Sequence, residues 1–159
     1  MVKTKIQQEF ELKATRRYRR QNMAKAMGGK IERGLVELIT NSDDSYRDLE
    51  ELGSQVSGKI KIEVERKRGS SPSIVRVLDR AGGMSGEEMY NKLGTVGERT
   101  FGYEKGKDRR GLYGRGAKDV AIFGSTHFES IKDGKYSHLI ITPSLAGRFE
   151  TYHQDVGEK

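Results

Sequence analysis

The chain contains no cysteine. Disulfides, thiolate metal sites and cysteine nucleophiles are excluded together, and a reducing compartment is the natural expectation. Long hydrophobic runs are missing as well. Hydrophobic residues make up 33% of the 159 positions, and no apolar stretch approaches the roughly 20 residues that a bilayer-spanning helix needs. The first residues carry Lys3, Lys5 and then Gln7-Gln8-Glu9 instead of an apolar core and a small-residue cleavage site. That start predicts a cytoplasmic protein with no membrane-spanning segment. Neither Gly-Lys-Ser nor Gly-Lys-Thr occurs, which makes a P-loop a poor fit, and Gly-x-Ser-x-Gly is absent too. The three histidines, His127, His138 and His153, do not stand at metal-ligand spacing and are expected at the surface or at strand edges.

What is present in excess is positive charge. The formal charge of +7 suits a polyanionic partner such as nucleotide, nucleic acid or acidic lipid, with plain solubility as the alternative. Arg16-Arg17-Tyr18-Arg19-Arg20 is the densest cluster, with an aromatic among its arginines. Nucleic-acid contact is therefore an alternative reading of the whole chain.

The length fits one domain over residues 1–159. Residues 1–29 read as an N-terminal helical segment, its helix running from about Phe10 to Met27 and stopped by Gly28-Gly29. A second helix is predicted from about Lys30 to Leu52. Alternation in Lys59-Ile-Lys-Ile-Glu-Val-Glu-Arg66 predicts a strand with Ile60, Ile62 and Val64 on a buried face, paired as a hairpin with Ile74 to Leu78. Ser85-Gly-Glu-Glu88 has the capping-box spacing and starts a short helix through about Leu93. Residues 94–111, rich in glycine and charge, read as a long loop. A helix from about Tyr113 to Phe123 follows. Two last strands, His127 to Lys132 and Tyr136 to Thr142, flank an Asp133-Gly134 turn. This order predicts an α/β (α+β) two-layer sandwich.

Three segments carry the chemistry. In Glu37-Leu-Ile-Thr-Asn41-Ser-Asp-Asp44, a helical period places Glu37, Asn41 and Asp44 within roughly 60° of arc. Retaining Thr40 to Ser45, all poor helix formers, costs roughly 2 to 4 kcal/mol relative to alanine, which a function would explain. The alternatives are a solvated face, or a break at Thr40 with Ser42 or Asp43 capping a new helix. Asp79-Arg-Ala-Gly-Gly83-Met84 puts a carboxylate at a strand end beside a turn; an Asx-turn with ordinary turn glycines explains it equally. Gly111-Leu-Tyr-Gly114-Arg115-Gly116 puts unencumbered amides at a helix start, a geometry that suits phosphate.

In this order, the three segments resemble the GHKL ATPase family, which groups gyrase B subunits, heat-shock 90 chaperones, histidine kinases and MutL-type repair proteins. The resemblance covers roughly Leu35 to Thr142. Lys92-Leu-Gly94-Thr95 and Glu-Leu-Ile-x-Asn-Ser look chaperone-like, whereas Arg115-Gly-Ala-Lys-Asp119 looks closer to the MutL and microrchidia side. It implies a Bergerat fold, a mixed sheet packed on helices, binding ATP with Mg²⁺ between the layers and hydrolysing it. Within it Glu37 matches the catalytic base, Asn41 the Mg²⁺ ligand, and Asp44 a contact near the nucleotide. Asp79 matches the acceptor of the adenine amino group, with Gly83 and Met84 against the base. Thr95 and residues 94–111 match the ATP lid, and Gly111, Gly114, Arg115 and Gly116 the phosphate contacts. Ala81 stands where the family has its first glycine, at a cost of roughly 1 to 2 kcal/mol if that position is left-handed. Ser45 stands where relatives often have a small apolar residue. The family's later Gly-Thr strand and the second domain that often donates a lysine have no counterpart before Lys159. The resemblance therefore implies a piece of a larger nucleotide-switched protein, slow in isolation, with a nucleotide-dependent homodimer as one partner state.

Overall fold

A computed structural model describes residues 14–94 and 116–153. Helix α1, Arg16–Met27, starts where the Thr15 hydroxyl accepts the Tyr18 amide at 3.3 Å. It stops at Gly28, whose left-handed φ of 57° returns its N–H to the carbonyls of Ala24 and Lys25. The predicted start at Phe10 lies outside the described residues, and the described helix begins only at Arg16 because Thr15 caps it. Helix α2, Ile31–Glu51, runs unbroken for 21 residues. No new helix starts at Ser42 or Asp43. Its buried positions Gly34, Ser42 and Tyr46, with Leu38 packed on the core, recur every four residues and form one stripe.

Strands β1, Lys61–Glu65, and β2, Ile74–Leu78, pair antiparallel as predicted. The expected burial is not observed: Ile62 is 47% and Val64 62% exposed, and only Ile60 is half-buried. Alternation assigned these residues to one face, but among the described residues no layer covers it. Helix α3, Gly86–Gly94, opens on the predicted capping box, with the Ser85 amide donating to Glu88 Oε2 at 2.7 Å and the Glu88 amide to Ser85 Oγ at 3.2 Å. The Ser85 amide, and after it the Lys132 ammonium at 2.9 Å, lower the Glu88 carboxyl from 4.5 to about 2.

Among the described residues helix α4 spans Gly116–Asp119 and tightens into a 3-10 turn over Val120–Ile122 instead of continuing to Phe123 as α-helix; its predicted start at Tyr113 lies outside the described residues. Strands β3, Thr126–Lys132, β4, Lys135–Ile141, and β5, Gly147–His153, form an antiparallel meander. Asp133 and Gly134, at φ 52° and 70°, make the predicted tight turn. β5 was not foreseen. The architecture is therefore α+β, and the described residues form two antiparallel sheets of two and three strands, with no mixed sheet among them. The core lies where α3 and α4 meet the inner face of the larger sheet: Met89, Leu93, Ala117 and Leu139, flanked by Leu38, Met84, Phe128, Ile141 and Phe149. Among the described residues no helix is long and apolar enough to cross a membrane.

Candidate functional site

The segment after β2 is held from two sides. On the α2 side, Ser42 Oγ donates to Asp79 Oδ2 at 2.6 Å, and the Tyr46 hydroxyl accepts the Arg80 amide at 2.8 Å. On the sheet side, Ser130 Oγ accepts the Met84 amide at 2.7 Å. Gly83 is the residue that allows this approach. Its φ is 63°, and a Cβ there would stand 2.8 Å from the Ile131 carbonyl oxygen. Asp79 Oδ1 also accepts the Ala81 amide at 3.1 Å, which is the Asx-turn foreseen as the plain explanation of this aspartate. A carboxylate offers about four acceptor positions, so these two bonds leave capacity for a further donor. Ala81 is not among the residues with positive φ, so the conformational cost anticipated for it does not arise.

Glu37 joins the first segment to the third. A Cβ on Gly116 would fall inside the Glu37 carboxyl group, so the absence of a side chain at 116 makes room for this carboxylate at the start of α4. A second close approach nearby is set by Gly34, where a Cβ would stand 3.0 Å from Val120 Cγ2. Lys118 anchors the same region: its side chain is buried, and Nζ donates to the Lys92 carbonyl at 2.7 Å near the end of α3.

Seven of the predicted site residues are therefore located. Glu37 and Asp44 are half-buried and Asn41 exposed. Asp79 and Gly83 occupy the turn between β2 and α3, with Met84 packed against the core cluster. Gly116 lies against Glu37. Thr95, Gly111, Gly114 and Arg115 lie outside the described residues, as do the lid cations Arg99, Lys105 and Lys107.

Neither known protein families nor curated proteins give a match to this chain.

Ser42 and Tyr46 tie α2 to the segment after β2, Ser130 ties that segment to β3, and Lys118 ties α4 to the end of α3; sequence reasoning did not single out any of them for these roles. For Ser42 a signal existed, since it continues the four-residue series Gly34, Leu38, Ser42, Tyr46 and so falls on the packed side of α2. Ser130 shares the inward parity of Phe128 on β3. Among the described residues, the cavity of about 380 Å³ that Glu37 helps to line opens toward α1, between Met27, Arg33 and Val36. It is not the expected space between α2 and the sheet.

Proposed function

We propose that this chain binds ATP with Mg²⁺ and hydrolyses it slowly, in the manner of a GHKL-type domain. The observation that carries the reading is the convergence on α2: Ser42 bonds to Asp79 and Glu37 packs on Gly116, so three segments distant in sequence meet along one helix. Asp79 keeps acceptor capacity for an exocyclic amino group, which is what adenine recognition requires. Glu37 is a carboxylate able to accept a proton from an attacking water, a task that a hydroxyl or amide cannot perform. Asn41 offers a side-chain oxygen, the donor type that a hard cation takes, so the residue present fits Mg²⁺. When bound, Mg²⁺ supplies charge neutralisation to the transferring phosphate. Asn41 would hold it through its side-chain oxygen.

Titration calorimetry with ATP and ADP in the presence of Mg²⁺ tests the reading. Asp79→Asn should remove nucleotide binding while leaving the fold intact, because the new amide would present a donor to the adenine amino group at a cost of roughly 1 to 3 kcal/mol or more. Glu37→Ala should keep affinity and lower turnover by about 10²-fold or more. Binding by Asp79→Asn as tight as the parent would reduce Asp79 to a turn residue.

One observation favours a second reading, a basic nucleic-acid-binding module without turnover. Arg16, Arg17 and Arg20 line a depression of about 590 Å³ on α1. No nucleotide binding at millimolar ATP, together with salt-sensitive binding of an oligonucleotide, would favour it.

A further inference from the structure

We propose that the outer face of the three-stranded sheet binds a divalent cation of the zinc class through His127, Glu129 and His138. The site shares no residue with the α2 region and does not depend on nucleotide binding.

Strand geometry assembles it. His127 and Glu129 are two apart on β3 and project from the same face, the one that alternates with the inward Phe128 and Ser130. His138 on β4 stands opposite Glu129 in register, one diagonal step from His127. Each of the three offers a ligand atom, and these atoms lie within 4.8 Å of one another. The register sets where the three Cβ atoms stand, and rotation of the exposed Glu129 side chain brings its carboxylate onto the ion.

The spacing suits a particular ion. Zinc–imidazole bonds of about 2.0 to 2.1 Å at tetrahedral angles require ligand atoms roughly 3.3 to 3.4 Å apart. His127 Nδ1 and His138 Nε2 are 3.1 Å apart, with the rings stacked at 5.2 Å between centroids. A shift of a few tenths of an ångström would admit the ion between the two nitrogens. Without one, a neutral imidazole pair in this arrangement shares a single N–H···N bond; with it, both lone pairs are used. Two nitrogens and a carboxylate oxygen leave a fourth position facing solvent, the donor set of zinc sites that carry an exchangeable water. Magnesium and calcium prefer all-oxygen sites, so imidazole selects against them. On the far side of His138, Glu150 of β5 stands in register and is ion-paired with Arg148.

The experiment is Zn²⁺ titration of the full chain, followed by calorimetry and by competition with a chromophoric chelator. One Zn²⁺ per chain should bind with a dissociation constant in the micromolar range or tighter, while millimolar Mg²⁺ leaves the site free. His127→Ala and His138→Ala should each weaken binding at least tenfold, and Glu129→Gln several-fold, with His153→Ala unchanged. At about a hundredfold excess over the dissociation constant, the melting temperature of the parent should rise by roughly 5 to 10 °C, and that of the double histidine variant should not. Should an alanine variant fold poorly, His127→Gln and His138→Gln decide by the same criterion. Absence of binding at Zn²⁺ concentrations well above the micromolar range, or affinity undiminished in both single-histidine variants, would overturn the proposal. Equal loss in His153→Ala would overturn it too.

Discussion

On one face of the β1–β2 hairpin Ile62 stands beside Val77 and Val64 beside Val75. Three of these four are at least 37% exposed. On the inner face of the larger sheet Phe128, Leu139 and Phe149 stand side by side in the same way, and Leu139 is 3% exposed. Both faces arise from the same alternation of apolar and polar residues. The difference is that α3 lies across β4 and β5, with Tyr90 meeting Phe149 edge-on at 5.7 Å, whereas α2 touches the hairpin mainly near its end. A period of two therefore decides which residues share a face. A second layer decides whether that face is buried.

Four substitutions sharpen or break this comparison. Leu139→Ala, in the covered sheet, should cost about 2 to 5 kcal/mol in urea unfolding. Gly83→Ala, at the junction where the hairpin's trailing turn meets β3, combines a left-handed φ with a contact against the Ile131 carbonyl. It should cost roughly 1 to 3 kcal/mol and weaken any function of the α2 region. Ser42→Ala leaves one Asp79 oxygen without its donor and should cost about 1 kcal/mol on the same scale. The smallest effect should come from Val64→Ala on the uncovered face, within about 0.5 kcal/mol. A loss of 2 kcal/mol there would mean that something covers the hairpin, and the contrast between the two sheets would fail.

A pH experiment addresses the covered side. Glu88 titrates at about 2 in the folded chain against an ordinary value of 4.5, because the Ser85 amide and the Lys132 ammonium favour its charged form. Its contribution is fully present above about pH 4.5 and is lost as the pH falls toward 2. In Glu88→Gln, acid titration followed by circular dichroism should show a shallower loss of stability across that window. The carboxylate is 43% exposed, so solvent keeps the change modest. An unchanged acid profile would mean that the bonds at the start of α3 carry no weight.

Much of the fold was legible where local chemistry acts alone. The Ser85–Glu88 box, the left-handed stop at Gly28 and the Asp133-Gly134 turn each depend on neighbouring residues only, and each was readable. Coverage of Ile62 and Val64 was not, because it depends on where distant elements pack. β5 was missed for a different reason. The loop before it places Leu145, not a glycine, at φ 60°, and Thr142 closes it by bonding to Ala146, so the usual turn signal is weak. At the candidate site, the sequence picked out Glu37, Asp79 and Gly116, while the connections through Ser42 and Ser130 emerge only in three dimensions. The two strand histidines, separated in sequence, meet because register brings β3 and β4 side by side.

That register has a kinetic side. The β3–β4–β5 meander is closed by a two-residue turn and one short loop, so each pairing joins chain neighbours and a hairpin of this kind closes in about 1 to 10 µs. The bonds that hold the turn after β2 link residues much farther apart, 37 positions for Ser42 to Asp79 and 46 for Met84 to Ser130. Contacts of such separation form late, since the entropy of closing their loops must be met before they stabilise anything. The meander is thus the platform onto which the α2 region assembles. In native-state hydrogen exchange, the Arg80 and Met84 amides should open well before those at the centre of β4, disassembling the candidate site while the sheet stays paired.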